Sequence, residues 1–234
     1  TRRDFLKKAA VLSAGMYAAS HFQGCASLTR GASARYMGGF AAPKLETVKL
    51  AFIGVGSRGS GHCRDFSRIP GTKVVGVCDL YQDLAEKSAA ATKENGHDPR
   101  VYWGDPEKYR TMLTETKPDA VIIATNWNRH AEHLIESMKA GAHAFSEVPI
   151  AVTIDEMWKI VDTAEATRRH CMMMENVNYG REELLYLNMC RQGLLGDLLH
   201  GEAAYIHSLR GQMNSVERGT GSWRTYHYAN RNGN

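Results

Sequence analysis

The chain has 234 residues, 43% of them apolar and 23% charged, with 22 Gly, 6 Pro and 5 Cys. That balance excludes a disordered, collagen-like or disulfide-dense chain, and the length suits one domain and the start of a second. Of the formal net charge of +4, Arg2, Arg3, Lys7 and Lys8 against Asp4 carry three, so the rest of the chain is nearly neutral and offers no basic face to nucleic acid.

Those charges precede an apolar, small-residue stretch from Ala9 to Ser20. No run in the chain approaches the roughly 20 apolar residues that span a bilayer. A charged segment before a short apolar one is the pattern of an export address. Arg2-Arg3 followed by Phe5-Leu6-Lys7 resembles the twin-arginine signal, which implies the twin-arginine export machinery as a partner and a periplasmic location. The alternative is a surface amphipathic helix. Gly24-Cys25 raises a lipoprotein attached through Cys25, although Phe22-Gln23 suits that motif poorly. Residues 1–43 are therefore set aside as signal and linker. Cys63, Cys78, Cys171 and Cys190 form neither a Cys-x-x-Cys pair nor a zinc pattern, so no disulfide framework is expected.

Val48 to Gly54 reads as a buried strand ending in Gly54-Val55-Gly56-Ser57-Arg58-Gly59, with a helix to about Arg68 and a second strand from Lys73 to Asp79. Gly54 permits the tight turn, Gly56 the approach of backbone to a pyrophosphate, and Gly59 close packing of helix on strand. The helix start offers free N–H groups to phosphate. Asp79, 20 residues after Gly59, stands where a carboxylate accepts both ribose hydroxyls. Strand, turn, helix and acid together predict a dinucleotide site.

Further strands are expected at Asp119–Thr125, Ala142–Glu147 and His170–Glu175, with helices at about Arg129–Ala140 and Ile154–Thr167. Apolar strands alternating with helices predict an α/β fold, a Rossmann-type doubly wound parallel sheet covered on both faces, over residues 44–175. Met172-Met173-Met174 reads as core filling. His130 and His133 share a helix face, but no third ligand clusters with them and no metal is expected. Past Glu175 the pattern changes to a helix at about Glu182–Gln192 and an alternating strand from Leu199 to Leu209. Residues 176–234 thus read as the beginning of an α+β domain with a mostly antiparallel sheet.

With these elements the chain, from about Val48 to Asn234, resembles the Gfo/Idh/MocA oxidoreductases. The likeness rests on the glycine turn, Asp79, Ala124-Thr125-Asn126 and Ser146-Glu147-Val148-Pro149. Dehydrogenases of that family usually carry Glu-Lys-Pro at the last position, the Lys aiding proton and hydride transfer. Val148 does neither. Together with Arg58, Trp127-x-x-His130, Glu175-Asn176, Tyr205-x-His207 and Trp223-Arg224…Arg231-Asn232-Gly233, this departure resembles glycoside hydrolase family 109, NAD-dependent α-N-acetylgalactosaminidases.

The resemblance implies NAD held by Ser57, Arg58, Asp79, Trp127, Asn128, Arg129, His130, Glu147, Val148 and Asn176, with Tyr205 and Arg224 on the sugar. Taken alone, Trp127 reads equally as a lid over core, His130 as a helix-start residue and Tyr205 as a sheet residue. It further implies a glycan ending in N-acetylgalactosamine, cleaved by transient oxidation at C3, elimination and water addition, with no net redox. The family's Tyr-x-x-His pair would follow Asn234, so the chain reads as the N-terminal part of a longer protein. Tyr179 and His207 remain the catalytic candidates within it. An ordinary NAD-dependent sugar or polyol dehydrogenase and a non-catalytic nucleotide-binding module are the alternatives. The exact sugar and any homo-oligomer stay open.

Overall fold

The computed structural model describes residues 36–204, together with 206 and 208. Six strands form one sheet: β1 (Val48–Ile53), β2 (Thr72–Cys78), β3 (Arg100–Tyr102), β4 (Ala120–Ile123), β5 (His143–Ser146) and β6 (Cys171–Met173). Their order is β3-β2-β1-β4-β5-β6, and every pairing is parallel. Six helices alternate with or follow them: α1 (Ser57–Phe66), α2 (Gln82–Lys93), α3 (Lys108–Thr116), α4 (Trp127–Lys139), α5 (Ile154–Thr167) and α6 (Arg181–Arg191). This is the doubly wound parallel sheet that the alternation predicts. Strand β3 and helices α2 and α3 are additions to the sequence reading; three residues of strand are too few to show any periodicity.

Side chains alternate across the sheet, and each face builds its own core. Ala51, Ile53, Val121 and Ile123 point to one side and meet Met112, Leu134, Met138 and Ile160 of α3, α4 and α5. Leu50, Phe52, Ala120 and Ile122 point to the other and meet Cys63, Ala85 and Ala89 of α1 and α2. Phe52 is 1% exposed, and burying such a side chain contributes about 1.5–3 kcal/mol. At Gly76 a Cβ would lie 2.8 Å from Met112 Cγ, so the missing side chain is what lets α3 seat against β2. Helix α5 starts on a capping box, Thr153 Oγ1 accepting from the Glu156 N–H at 3.2 Å and Glu156 Oε2 from the Thr153 N–H at 2.9 Å. Such a cap is worth about 1 kcal/mol.

Three expectations need correction. Met172 and Met173 are 44% and 39% exposed rather than core, because β6 is an edge strand; only Met174 packs against the α1/α2-side core. Coverage of that face is also incomplete, since an apolar groove of about 580 Å³ lies open over Val48, Phe66, Ala120, Phe145 and Met172. Residues 199–204, 206 and 208 form no strand. Leu199 and Ile206 are 95% and 92% exposed. The strand expected from Leu199 is therefore absent among the described residues, and the antiparallel sheet expected after it lies for the most part outside them.

Candidate active site at the strand-order reversal

Strand β1 lies between β2 and β4, where the chain's winding reverses, and a crevice opens beyond the carboxyl ends of the strands there. Its volume is about 1110 Å³. Gly54 turns the chain out of β1 with φ +81°, a conformation that L side chains rarely adopt; a Cβ there would lie 2.8 Å from the Ala124 carbonyl oxygen. Gly59 is tighter still, its hypothetical Cβ falling 1.9 Å from the Gly54 carbonyl oxygen. Helix α1 can therefore approach the turn only with glycine in that place. Around a Cβ on Gly56, by contrast, nothing lies within 4 Å. That open space faces the start of α1, where no side chain caps the helix. Its leading N–H groups and positive dipole end suit a pyrophosphate.

At the end of β2, Asp79 Oδ2 accepts from the Val55 N–H at 2.7 Å and Oδ1 from the Tyr81 N–H at 3.0 Å. Each carboxylate oxygen retains a lone pair for a ribose hydroxyl. The open cradle at Gly56 and the braced acid at Asp79 fit a dinucleotide.

The structure brings Gly54, Gly56, Ser57, Arg58, Asp79, Trp127, Asn128, Arg129, His130, Glu147 and Val148 together around this cleft. Gly59 sits behind it as packing. His130 is wholly buried, with Nδ1 2.7 Å from the Pro149 carbonyl oxygen and Nε2 2.9 Å from that of Thr125. It ties the loop after β4 to the loop after β5, and so shapes the floor of the cleft. Arg129 Nη2 and Nη1 reach Glu107 Oε1 at 2.7 Å and Glu132 Oε2 at 2.9 Å, so its guanidinium is already shared by two carboxylates. Hydrogen bonds from Arg110 and then Arg129 hold the exposed Glu107 carboxyl at about 2.

Asn176 and Tyr179 lie on the exposed segment between β6 and α6 and do not line the cleft. Tyr205, His207 and Arg224 fall outside the described residues, as do the twin-arginine segment and Cys25.

Two histidines of the cleft wall were not predicted as nucleotide contacts. His62 Nε2 lies 2.6 Å from Glu147 Oε1, and Arg58 Nε 3.6 Å from the same oxygen. The His62 hydrogen bond, against the opposing effect of burial, holds the Glu147 carboxyl below the ordinary carboxylate range. The spacing of Arg58 and His62, four apart on α1, is the signal that could have placed His62 on the cleft side. His133 is buried, its Nδ1 3.1 Å from Thr125 Oγ1 and its ring edge-on to Tyr109 at 4.5 Å.

Residues 48–175 match the family model described as "Oxidoreductase family, NAD-binding Rossmann fold", and residues 179–234 that described as "Glycosyl hydrolase 109, C-terminal domain". An Akkermansia muciniphila protein named glycosyl hydrolase family 109 protein 1 is 62% identical over 200 residues, 85% of this chain and 42% of the relative. A Shewanella oneidensis protein named alpha-N-acetylgalactosaminidase is 47% identical over 237 residues, 100% of this chain and 52% of the relative. The chain thus spans about half the length of the curated relatives it matches. Among solved structures, scyllo-inositol dehydrogenase from Lactobacillus casei with bound NAD(H) and scyllo-inositol shares the fold. Its TM-score is 0.56 at 21% identity, over 64% of this chain and 43% of that one. The chain belongs to the Gfo/Idh/MocA family of NAD-binding Rossmann-fold oxidoreductases, and within it its likeness is to the glycosyl hydrolase family 109 proteins.

Proposed function

We propose that the whole protein is a glycosidase that uses NAD without net redox change and releases terminal α-N-acetylgalactosamine or a closely related sugar. The observation that carries this reading is Val148. It lines the cleft between Glu147 and Pro149, 38% exposed, where the family's dehydrogenases usually present Lys. An isopropyl group neither donates a proton nor bears charge, so this position cannot assist a simple alcohol oxidation. NAD, when bound, supplies hydride abstraction from the sugar and its return. The residues of this chain prepare its place. The start of α1 would receive the pyrophosphate, Asp79 the ribose hydroxyls, and Glu147 stands beside Val148 as a hydrogen-bond acceptor. The likeness of residues 179–234 to the family 109 C-terminal domain, and the name of the Shewanella oneidensis relative, support the sugar assignment. Tyr205 and Arg224 belong to the proposal as sugar ligands. Export to the periplasm through the twin-arginine route belongs to it on the strength of Arg2-Arg3, Phe5-Leu6-Lys7 and the apolar stretch that follows them. Among the described residues no helix is long and apolar enough to cross a membrane.

The test is release of nitrophenol from p-nitrophenyl α-N-acetylgalactosaminide by full-length protein stripped of nucleotide, with and without added NAD. Release that depends on NAD is expected. Sugar oxidation with stoichiometric NADH and no nitrophenol would make the protein a dehydrogenase instead.

A further inference from the structure

His62 lies one helical turn beyond Arg58 on α1, and nothing in the glycine turn requires it. Its hydrogen bond to Glu147 spans 85 residues of chain and joins the helix that would face the pyrophosphate to the loop after β5. A carboxylate oxygen only accepts, so Nε2 carries the proton and donates. The imidazole is held from behind: its edge meets Phe66 at 6.3 Å, and Phe66 meets the buried Phe52 at 6.3 Å. The two partners are 24% and 19% exposed, so water screens this bond less than it screens an ordinary surface pair. Among the described residues Glu147 Oε2 keeps only a long contact of 3.3 Å with the Val148 N–H, which leaves most of its acceptor capacity unused there.

We propose that His62 is a positioning residue for Glu147: it anchors Oε1 and so fixes the orientation in which Oε2 meets bound ligands in the cleft beside Val148. The proposal rests on reading the cleft as a nucleotide site, and not on which sugar is cleaved. The groups acting on the Glu147 carboxyl are His62 first, then burial, the Val148 N–H and Arg58. Arg58 is 67% exposed and acts from 3.6 Å, so it is the weaker of the two partners. Without His62, burial is opposed by these lesser groups alone, and the carboxyl titrates higher.

The experiment uses full-length protein in wild-type, His62→Ala, His62→Gln and His62→Asn forms, with NAD⁺ as the probe. Three quantities are measured: the titration of Glu147 by NMR of ¹³C-labelled carboxylates (assigned through Glu147→Gln), NAD⁺ affinity by calorimetry, and kcat/KM on the nitrophenyl glycoside. His62→Ala should raise the Glu147 titration and weaken both NAD⁺ binding and turnover, with kcat/KM lowered about tenfold or more. His62→Gln, whose amide can donate the same bond, should recover most of the activity and lower the titration again. An unmoved Glu147 titration in His62→Ala overturns the proposal, as does a His62→Gln enzyme as slow as His62→Ala. If His62→Ala does not fold, His62→Asn takes its place, since its amide is too short to reach Oε1; equal titrations in the Asn and Gln variants then overturn it. A wild-type protein that releases no nitrophenol would overturn the glycosidase reading and leave the titration result standing.

Discussion

Asp79 and Val55 are joined by a 2.7 Å hydrogen bond, the carboxylate oxygen accepting from the backbone N–H inside the glycine turn. The acid that ends β2 is therefore a brace for the turn that ends β1. A nucleotide contacting one contacts a structure that the other holds in place.

Cofactor choice follows from this acid. A 2′-phosphate would meet the Asp79 carboxylate, whereas free ribose hydroxyls donate to it. Full-length protein should bind NAD⁺ at least about 30-fold more tightly than NADP⁺, or about 2 kcal/mol. Calorimetric titration of nucleotide-free protein with both decides it; equal affinities would refute the assignment. Asp79→Ala should erase the preference and, by freeing the Val55 and Tyr81 N–H groups, cost about 1–3 kcal/mol of stability.

Two glycines of one turn should behave oppositely. Gly59→Ala would drive a Cβ to 1.9 Å from the Gly54 carbonyl oxygen, so α1 must shift away from the turn. Its unfolding free energy should fall by about 2–4 kcal/mol. Gly56→Ala meets nothing within 4 Å and should melt within a few degrees of wild type. Its methyl enters the space left for pyrophosphate, so NAD⁺ affinity should fall about tenfold or more. Melting curves and calorimetry on the two variants separate these outcomes.

Recycling of the nucleotide has a direct optical signature. Absorbance at 340 nm should stay flat during steady turnover while nitrophenol accumulates, because the hydride taken is returned. A rise that keeps pace with product would mean net oxidation of the sugar.

Acid sensitivity should arise in part at His133. Burial, the main cause, pushes its imidazole down to about 3 from an ordinary 6.5, and its Nε2 has no hydrogen-bond partner among the described residues. Above pH 6.5 the ring is neutral in both folded and unfolded chains and pH does not matter. Below that value the unfolded chain binds a proton the folded chain refuses, and stability drops by up to about 1.4 kcal/mol per pH unit until the folded value is reached. Urea unfolding at pH 7.5 and 5.5 should show wild type losing about 1 kcal/mol more than His133→Gln. Equal losses would mean that the native ring accepts the proton.

Arg224 is the sugar ligand proposed beyond the described residues. A planar guanidinium presents two parallel donors that an ammonium cannot imitate. Arg224→Lys in full-length protein should lower kcat/KM about 10- to 100-fold with bound NAD unchanged. Intact activity, or activity lost together with NAD, would remove Arg224 from the site.

The features legible in the residues alone are those that local spacing encodes. Gly54, Gly56 and Gly59 declare a strand–turn–helix unit, Asp79 declares the end of the next strand, and the apolar runs at 48–54 and 119–125 declare a parallel sheet. Each depends on backbone geometry within a few residues. Helix α2 carried the same kind of signal, with Ala85, Ser88, Ala89 and Thr92 buried at helical intervals. Which distant groups meet follows from the packed fold. His62 reaches Glu147 across 85 residues, His130 holds the carbonyl of Pro149 across 19, and Arg129 is taken up by Glu107 across 22. Those pairings depend on strand order, which carries no local signature. The same order made β6 an edge and exposed Met172 and Met173, whose apolar character alone predicted burial. Hydrophobicity records that a residue gains by leaving water; the neighbour that would cover it is set by where the sheet ends.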